Sequence, residues 1–417
     1  MRRCAGAAPL LAALSVVAHN PAPAASWTLE RAFDTRLAID DNPDFAPQPP
    51  GARTTLRADG SVGMLRDDEA VQSRFDARLG AEHALRGDGG RTPVESNVTA
   101  SHAWRDALTQ WRLGGALLHE SIGDGDPGDA ADQRLGRGTR RSVALDLGGS
   151  RAVGERLTLS ADARAGRTAY GAGVRAAQDF DTRSLSSRVT WRASERSALA
   201  VSAGASNFRT RPDARSRSRS AQLTLSATHA WSETVSLSAL LGSQRSTRRS
   251  LVDLLVCPLP AAFCESGAAT PVRVQLAGRS RDEALLSSAG WQWALDERRS
   301  AGLSFTRTQS PSGAGVPVIS QRLSASTAQA LSPTLSWTAG LDVEHLRYAA
   351  GSGAAGSPRP TLAVVAGSLR WQLAERVAVQ AGARWARSGE ARSDTSARSR
   401  QFTLAVRFDA PRAWSGV

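Results

Sequence analysis

The feature that most limits what this chain can become is its period. Along almost its whole length, apolar side chains take every second place. In "WTLERAFDTRLAID", Trp27, Leu29, Phe33, Leu37 and Ile39 share one phase, and Glu30, Asp34, Arg36 and Asp40 the other. "RFDARLGAEHAL" repeats the pattern, with Phe75, Ala77, Leu79, Ala81, His83 and Leu85 against Arg74, Asp76, Arg78 and Glu82. A period of two marks a strand with one apolar and one polar face. Propensity argues differently in "WQLAERVAVQAGARW" (Trp371–Trp385), where Leu, Ala, Glu, Arg and Gln are good helix formers. There, however, Val377, Val379, Ala381, Ala383 and Trp385 alternate with Ala378, Gln380, Gly382 and Arg384. A helix on that spacing would scatter its charges around the whole circumference, so the period overrides the propensity.

About 18 such segments follow one another, most of 10–14 residues. Their connections alternate in length. "RDA" after Trp104, "SET" after Trp231 and "LAER" after Gln372 are short, whereas 120–140, 209–219, 246–282, 348–360 and 388–398 are long. Tight turns on one rim and long loops on the other, joining strands that exceed the roughly 9–11 residues needed to cross a bilayer, predict a transmembrane antiparallel up-and-down β-barrel. A strand in lipid cannot end at a free edge, so the sheet closes. The reading is 18 strands, with 16 as the alternative, short periplasmic turns and long extracellular loops. A soluble solenoid would show a one-rung repeat. A propeller would need shorter strands, which leaves a secreted β-sandwich as the remaining soluble alternative.

The chain opens "MRRCAGAAPLLAALSVVAHNPAPAAS". Two arginines, an apolar run and Ala22-Pro23-Ala24 form a secretory signal over residues 1–24, too short to span a bilayer as a helix. The barrel is expected over 25–408 and a short periplasmic tail over 409–417. No Pro/Gly/Ser-rich linker divides the remainder, which favours one large unit. All 52 Lys+Arg residues are arginine, so the net charge of +13 reflects composition and does not argue for nucleic acid, which an exported chain does not meet. Cys257 and Cys264 survive cleavage, close together in one irregular stretch. In an oxidising compartment a loop disulfide is the expectation, since the neighbourhood lacks further metal ligands.

Trp104, Trp191, Trp231, Trp293 and Trp371 share one address: the apolar phase, at a strand end, before a short turn. Amphipathic rings at equivalent hairpin positions predict an interfacial girdle, with Trp385 in the opposite one. The polar phase is then the lining. Its expected pore-facing charges are Arg36, Arg57, Arg74, Arg78, Asp76, Glu82, Arg112, Arg164, Asp162, Arg188, Asp342, Glu344, Arg370, Arg384 and Arg407, and with Glu30, Asp34, Asp59 and Asp146 on the same phase the two signs roughly cancel. The lining has almost no aromatics, which disfavours a channel that stacks sugar rings. "RTRPDARSRSRS" (Arg209–Ser220) reads as a basic loop, either facing lipopolysaccharide phosphates or merely solubilising. Asp124, Asp126, Asp129 and Asp132 could bind calcium, but Leu135 stands where an EF-hand loop needs glutamate. The reading favoured for them is a solvated acidic loop.

No enzyme, cofactor or metal is expected, because no HExxH, GxSxG, CxxC or phosphate-loop pattern occurs. His83, His102, His119, His229 and His345 lie on the apolar phase near strand ends and read as interfacial. One sharper alternative pairs His83 with Ser96 on the lipid-facing wall, as outer-membrane phospholipases do. "FDTRLAIDDNPDF" (Phe33–Phe45) resembles the opening strand and first loop of β-barrel porins of proteobacteria, including uncharacterised ones associated with exopolysaccharide systems. "RQFTLAVRF" (Arg400–Phe408) resembles the insertion signal read by the barrel assembly machinery, although nine residues follow it. The resemblance implies location in the outer membrane of a Gram-negative bacterium, amid its lipid and lipopolysaccharide, and passage of solute or polymer. The function expected first is a channel for small hydrophilic solutes. Export of an anionic exopolysaccharide with periplasmic partners, or a plugged barrel acting as adhesin or structural protein, follow.

Overall fold

A computed structural model describes residues 27–43, 49, 51–87, 93–122, 138–171, 178–211, 216–256, 272–311, 317–348, 360–390, 393–410 and 412–414. The segment expected to be a signal sequence, all three cysteines and the Asp124–Asp132 loop lie outside the described residues. The strands are β1 (Trp27–Asp40), β2 (Arg53–Asp67), β3 (Val71–Arg86), β4 (Val94–Arg105), β5 (Thr109–Ile122), β6 (Gly138–Ala152), β7 (Leu157–Tyr170), β8 (Phe180–Ser194) and β9 (Ser197–Thr210). They continue as β10 (Ser216–Ala230), β11 (Val235–Val256), β12 (Val272–Asp296), β13 (Arg299–Pro311), β14 (Pro317–Ala330), β15 (Leu335–Tyr348), β16 (Pro360–Ala374), β17 (Val377–Glu390) and β18 (Ser393–Asp409). Each pairs antiparallel with its neighbours in sequence, and β18 pairs back to β1 from Ala32↔Asp409 to Asp40↔Gln401. The sheet is thus a closed 18-strand barrel. A three-residue strand, β19 (Arg412–Trp414), adds to β1 below that seam, opposite Trp27–Leu29.

Closure pairs the strands all the way round the barrel, while the β11–β12 hairpin runs on alone above it, β12 meeting β13 only from Ser287, and each strand alternates between an outer and an inner phase. On β1 the outer phase is Phe33, Leu37 and Ile39, each more than a third exposed although large and apolar. The same holds for Leu185 on β8, Leu223 and Leu225 on β10, and Phe402, Leu404 and Val406 on β18. Small side chains predominate on the inner phase of β9–β13, among them Ser202, Ser238, Ser288, Ser300 and Ser304. Near the long-loop rim of β16 and β17 the inner phase instead turns apolar, with Leu362, Val364 and Ala386 buried together. The sequence reading had made the whole inner phase polar; this cluster departs from it because inner residues there pack on one another.

Strands run further than periodicity alone suggested. Residues 246–282 were expected to be loop, yet β11 and β12 pair continuously from Val235↔Trp293 to Val256↔Val272. Ser216–Ser220 and most of 388–398 likewise belong to strands. At Arg217, Arg219, Arg249, Arg279, Arg281, Arg398 and Arg400 the outer phase carries arginine, so the hydrophobic signal lapses there while the backbone ladder continues.

The turns marked as short in the sequence lie on one rim, and three turns of that rim are closed by side chains suited to them. In the β4–β5 turn, Asp106 Oδ1 accepts the amides of Leu108 (2.8 Å) and Thr109 (2.7 Å). Ser232 Oγ accepts from Thr234 and Val235, and Ser332 Oγ from Thr334 and Leu335, in the same local motif. The two amides, Leu108 first, hold the Asp106 carboxyl below the usual carboxylate range. A depressed pKa contributes stability above the unfolded carboxyl value and loses it as pH falls through the folded one. Amide exchange at Leu108 and Thr109 should therefore accelerate, relative to the strand amides, in acid below the ordinary carboxylate pKa. Asp106→Ala should show that faster exchange already at neutral pH.

Backbone proximity fixes one position in the wall. A Cβ at Gly242 on β11 would collide with the Leu223 carbonyl oxygen and with Thr224 on β10. Gly242→Val should cost about 1–3 kcal/mol by overpacking, read as a lower denaturant midpoint for the heat-modifiable folded band.

Candidate functional site: the charged inner wall at the seam

The inner phase can be followed across the seam in register rows. One row runs Arg370–Gln380–Ala405–Arg36–Arg57–Glu82 over β16, β17, β18, β1, β2 and β3. The adjacent row runs Ala378–Arg407–Asp34–Asp59–Gly80. Strand alternation aims these side chains inward, because the apolar phase of each strand faces out. Arg36, Arg78, Arg370 and Arg407 border one hollow of about 230 Å³ together with Asp34 and Asp59. Next to it, Arg36 and Arg384 border a larger hollow of about 750 Å³, whose other walls include Thr338, Ser368, Gln380 and Thr403.

The charges in this cluster are unequally matched. Asp59 is 3% exposed and accepts from Arg57 at 2.8 Å and from Arg78 at 3.3 Å. Arg57 also reaches Glu95 at 2.7 Å. A Cβ at Gly80 would run into the Asp59 carboxylate, so this glycine makes room for the pair. Arg407 is bound by Asp409 at 2.8 Å. Arg36, by contrast, lies 4.0 Å from Asp34 and is 45% exposed, and Arg370 contacts the neutral Gln372 at 3.3 Å. The seam therefore presents more cation than the carboxylates beside it neutralise.

Elsewhere several inner charges are paired with the opposite sign. Arg74 binds Asp76 (2.6 Å), Arg112 binds Asp162 (2.9 Å), Arg164 binds Asp146 (3.4 Å) and Arg53 binds Glu82 (3.4 Å). Arg188 donates to Ser226 at 3.2 Å. Asp342 accepts from Arg322 at 2.8 Å, and Glu344 accepts from Ser320 at 2.6 Å. All fifteen charges singled out from sequence thus sit on the inner phase. Glu95, Glu120, Arg140 and Arg322 belong there too and were missed, although counting alternate places from Val94, Leu117, Val143 and Leu323 would have found them.

On the outer face, Trp104, Trp191, Trp231, Trp293 and Trp371 lie at the short-turn rim, where Trp27, Trp111, Trp291 and Trp337 join them. Trp104 stacks on Trp111 (6.3 Å between centroids, 29°), and Trp291 lies 5.7 Å from Trp293. Trp385 sits on the same phase towards the other rim, opposite Val365 and Arg400. The outward histidines bond to neighbouring strands: His102 with Ser73 (2.9 Å), His229 with Ser197 (2.9 Å), His345 with Thr361 (3.0 Å) and His119 with Arg141 (3.3 Å). The register corrects the Ser/His alternative. Ser96 stands opposite Leu79, four residues from His83, which is about 13 Å along the strand.

No family model matches the chain, and no curated relative does. Among solved structures it is similar to OccK8 (OprE) of Pseudomonas aeruginosa (10% identity, TM-score 0.49, 93% of this chain and 98% of that one). It is also similar to OccK2 (OpdF) of the same organism (14% identity, TM-score 0.47, 94% and 98%). A third likeness is to the ferric-catecholate import receptor Fiu of E. coli K12 (11% identity, TM-score 0.47, 91% and 81%). The barrel itself rests on this chain's own strand pairing.

Proposed function

We propose that this protein is an outer-membrane channel that passes small hydrophilic solutes and favours anions. The observation that carries the reading is a closed 18-strand wall, apolar outside, whose inner seam holds Arg36 and Arg370 without a close carboxylate. A barrel of 16–18 strands encloses an aqueous lumen unless loops plug it, and charges on its wall bias which ions pass. Paired charges such as Arg74–Asp76 and Arg112–Asp162 hold water and shape without adding net field. Unmatched arginines raise the local concentration of anions. Export of an anionic polymer would use the same arginines but would require periplasmic partners.

Liposome swelling tests the reading. Vesicles containing the refolded chain should swell in small sugars at a rate that falls with solute size, and faster in a small carboxylate than in an ammonium solute of equal size. Vesicles that swell in none of these would overturn it.

A further inference from the structure

The outer face of β9–β12 carries a row that a membrane wall has no internal reason to contain. Arg209 stands opposite Arg217, Arg217 opposite Arg249, and Arg249 opposite Arg279, four arginines in direct register on four adjacent strands. One row nearer the membrane band, Arg219 and Arg281 flank Thr247. All six are exposed. Among the described residues none of them has a carboxylate partner. The neighbouring acids are already engaged: Asp181, opposite Arg209, binds Arg211, and Glu283 binds Arg245 at 3.5 Å.

Like charges directly opposite one another on a sheet are destabilising. The arrangement is therefore incomplete without an anion from outside. At about 4.8 Å between strands, the row covers about 14 Å, a plane wide enough for more than one phosphate. Guanidinium groups bind phosphate bidentately, and here their stems rise from the antiparallel ladder of β9 to β12.

Height on the wall decides what kind of anion. On β12 the outer phase runs from Trp291 at the short-turn rim through Ala289, Ser287, Leu285 and Glu283 to Arg281, ten residues away. On β10 it passes Leu225, Leu223 and Ala221 before Arg219. About ten strand residues cross the hydrocarbon layer, so the arginines lie at headgroup level, opposite to the tryptophan girdle. We infer that this face is a docking site for the phosphate groups of a phosphorylated glycolipid in the outer leaflet. The inference rests on the membrane placement proposed above.

Native mass spectrometry of the full refolded chain in detergent tests it, with three probes: diphosphoryl lipid A, its dephosphorylated form, and inorganic phosphate. The wild type should retain the diphosphoryl lipid and neither of the others. Arg217→Gln with Arg249→Gln should lower that retention about tenfold, the scale of losing one charge-assisted contact. Arg347→Gln, outward on β15, should leave it unchanged. In lipid-free detergent the double glutamine variant should be at least as stable as the wild type, since it relieves repulsion. Should that variant fail to refold, Arg217→Lys with Arg249→Lys keeps the charge and should give an intermediate loss. Equal retention of the dephosphorylated lipid, equal retention by the glutamine or lysine variant, or displacement of the lipid by inorganic phosphate at matched concentration would each overturn the assignment. Insertion of all variants into bilayers separates such a failure from a failure of the membrane placement itself.

Discussion

Replacing Leu185 with arginine should destabilise the barrel in a bilayer by about 2–4 kcal/mol, the cost of a cation on a lipid-facing strand near mid-membrane. Leu185 is 61% exposed, among the most exposed of the large apolar residues. In a water-soluble barrel the same change would be close to neutral or favourable, because it would remove an apolar group from water. The sign of one substitution therefore distinguishes the two settings. Reversible unfolding in lipid vesicles, followed by tryptophan fluorescence, gives the number. Leu404→Arg on β18 should behave alike, and Ser304→Arg on the inner phase of β13 should cost far less.

The second large effect concerns ion selectivity. Replacing Arg36 and Arg370 together with serine should lower the ratio of anion to cation permeability severalfold, while the folded band and the unit conductance stay near wild type. The reason is local. Arg57, Arg78 and Arg407 are held by Asp59, Glu95 or Asp409 and add little net field, whereas Arg36 and Arg370 are opposed only distantly or by a neutral amide. The counterpart change at a matched pair, Arg112→Ser with Asp162→Ser, should leave selectivity where it is. Reversal potentials across a salt gradient measure both. Equal shifts in the two double variants, of which only the first changes the net charge, would mean that selectivity does not follow the unmatched arginines of the seam.

Much of the wall was legible in sequence because a strand writes its two faces into alternate letters. Phe33, Leu37 and Ile39 mark the outer face of β1, and Arg36 falls inside by parity alone. Trp104, Trp191, Trp231, Trp293 and Trp371 gave the short-turn rim for a similar reason, since each of these precedes a turn. What parity cannot carry is register. That Arg57 bridges Asp59 and Glu95 and that Arg36 does not share them follow from how β1, β2, β3 and β4 slide against one another. The same absence placed Ser96 within reach of His83 when the ladder sets it opposite Leu79. Strand ends at the long-loop rim were hidden for a different reason. Arg217, Arg249 and Arg279 occupy outer places where leucine would have prolonged the signal, so a basic, serine-rich stretch read as loop.

The account's central claim is an open lumen biased towards anions by its seam. Single-channel recording of the refolded chain in a planar bilayer, under a tenfold salt gradient, tests it most directly. The expected result is stepwise ohmic conductance with a reversal potential of the sign set by anion flow. A bilayer that takes up the protein yet shows no conductance steps, or steps whose reversal potential follows the cation, would contradict it.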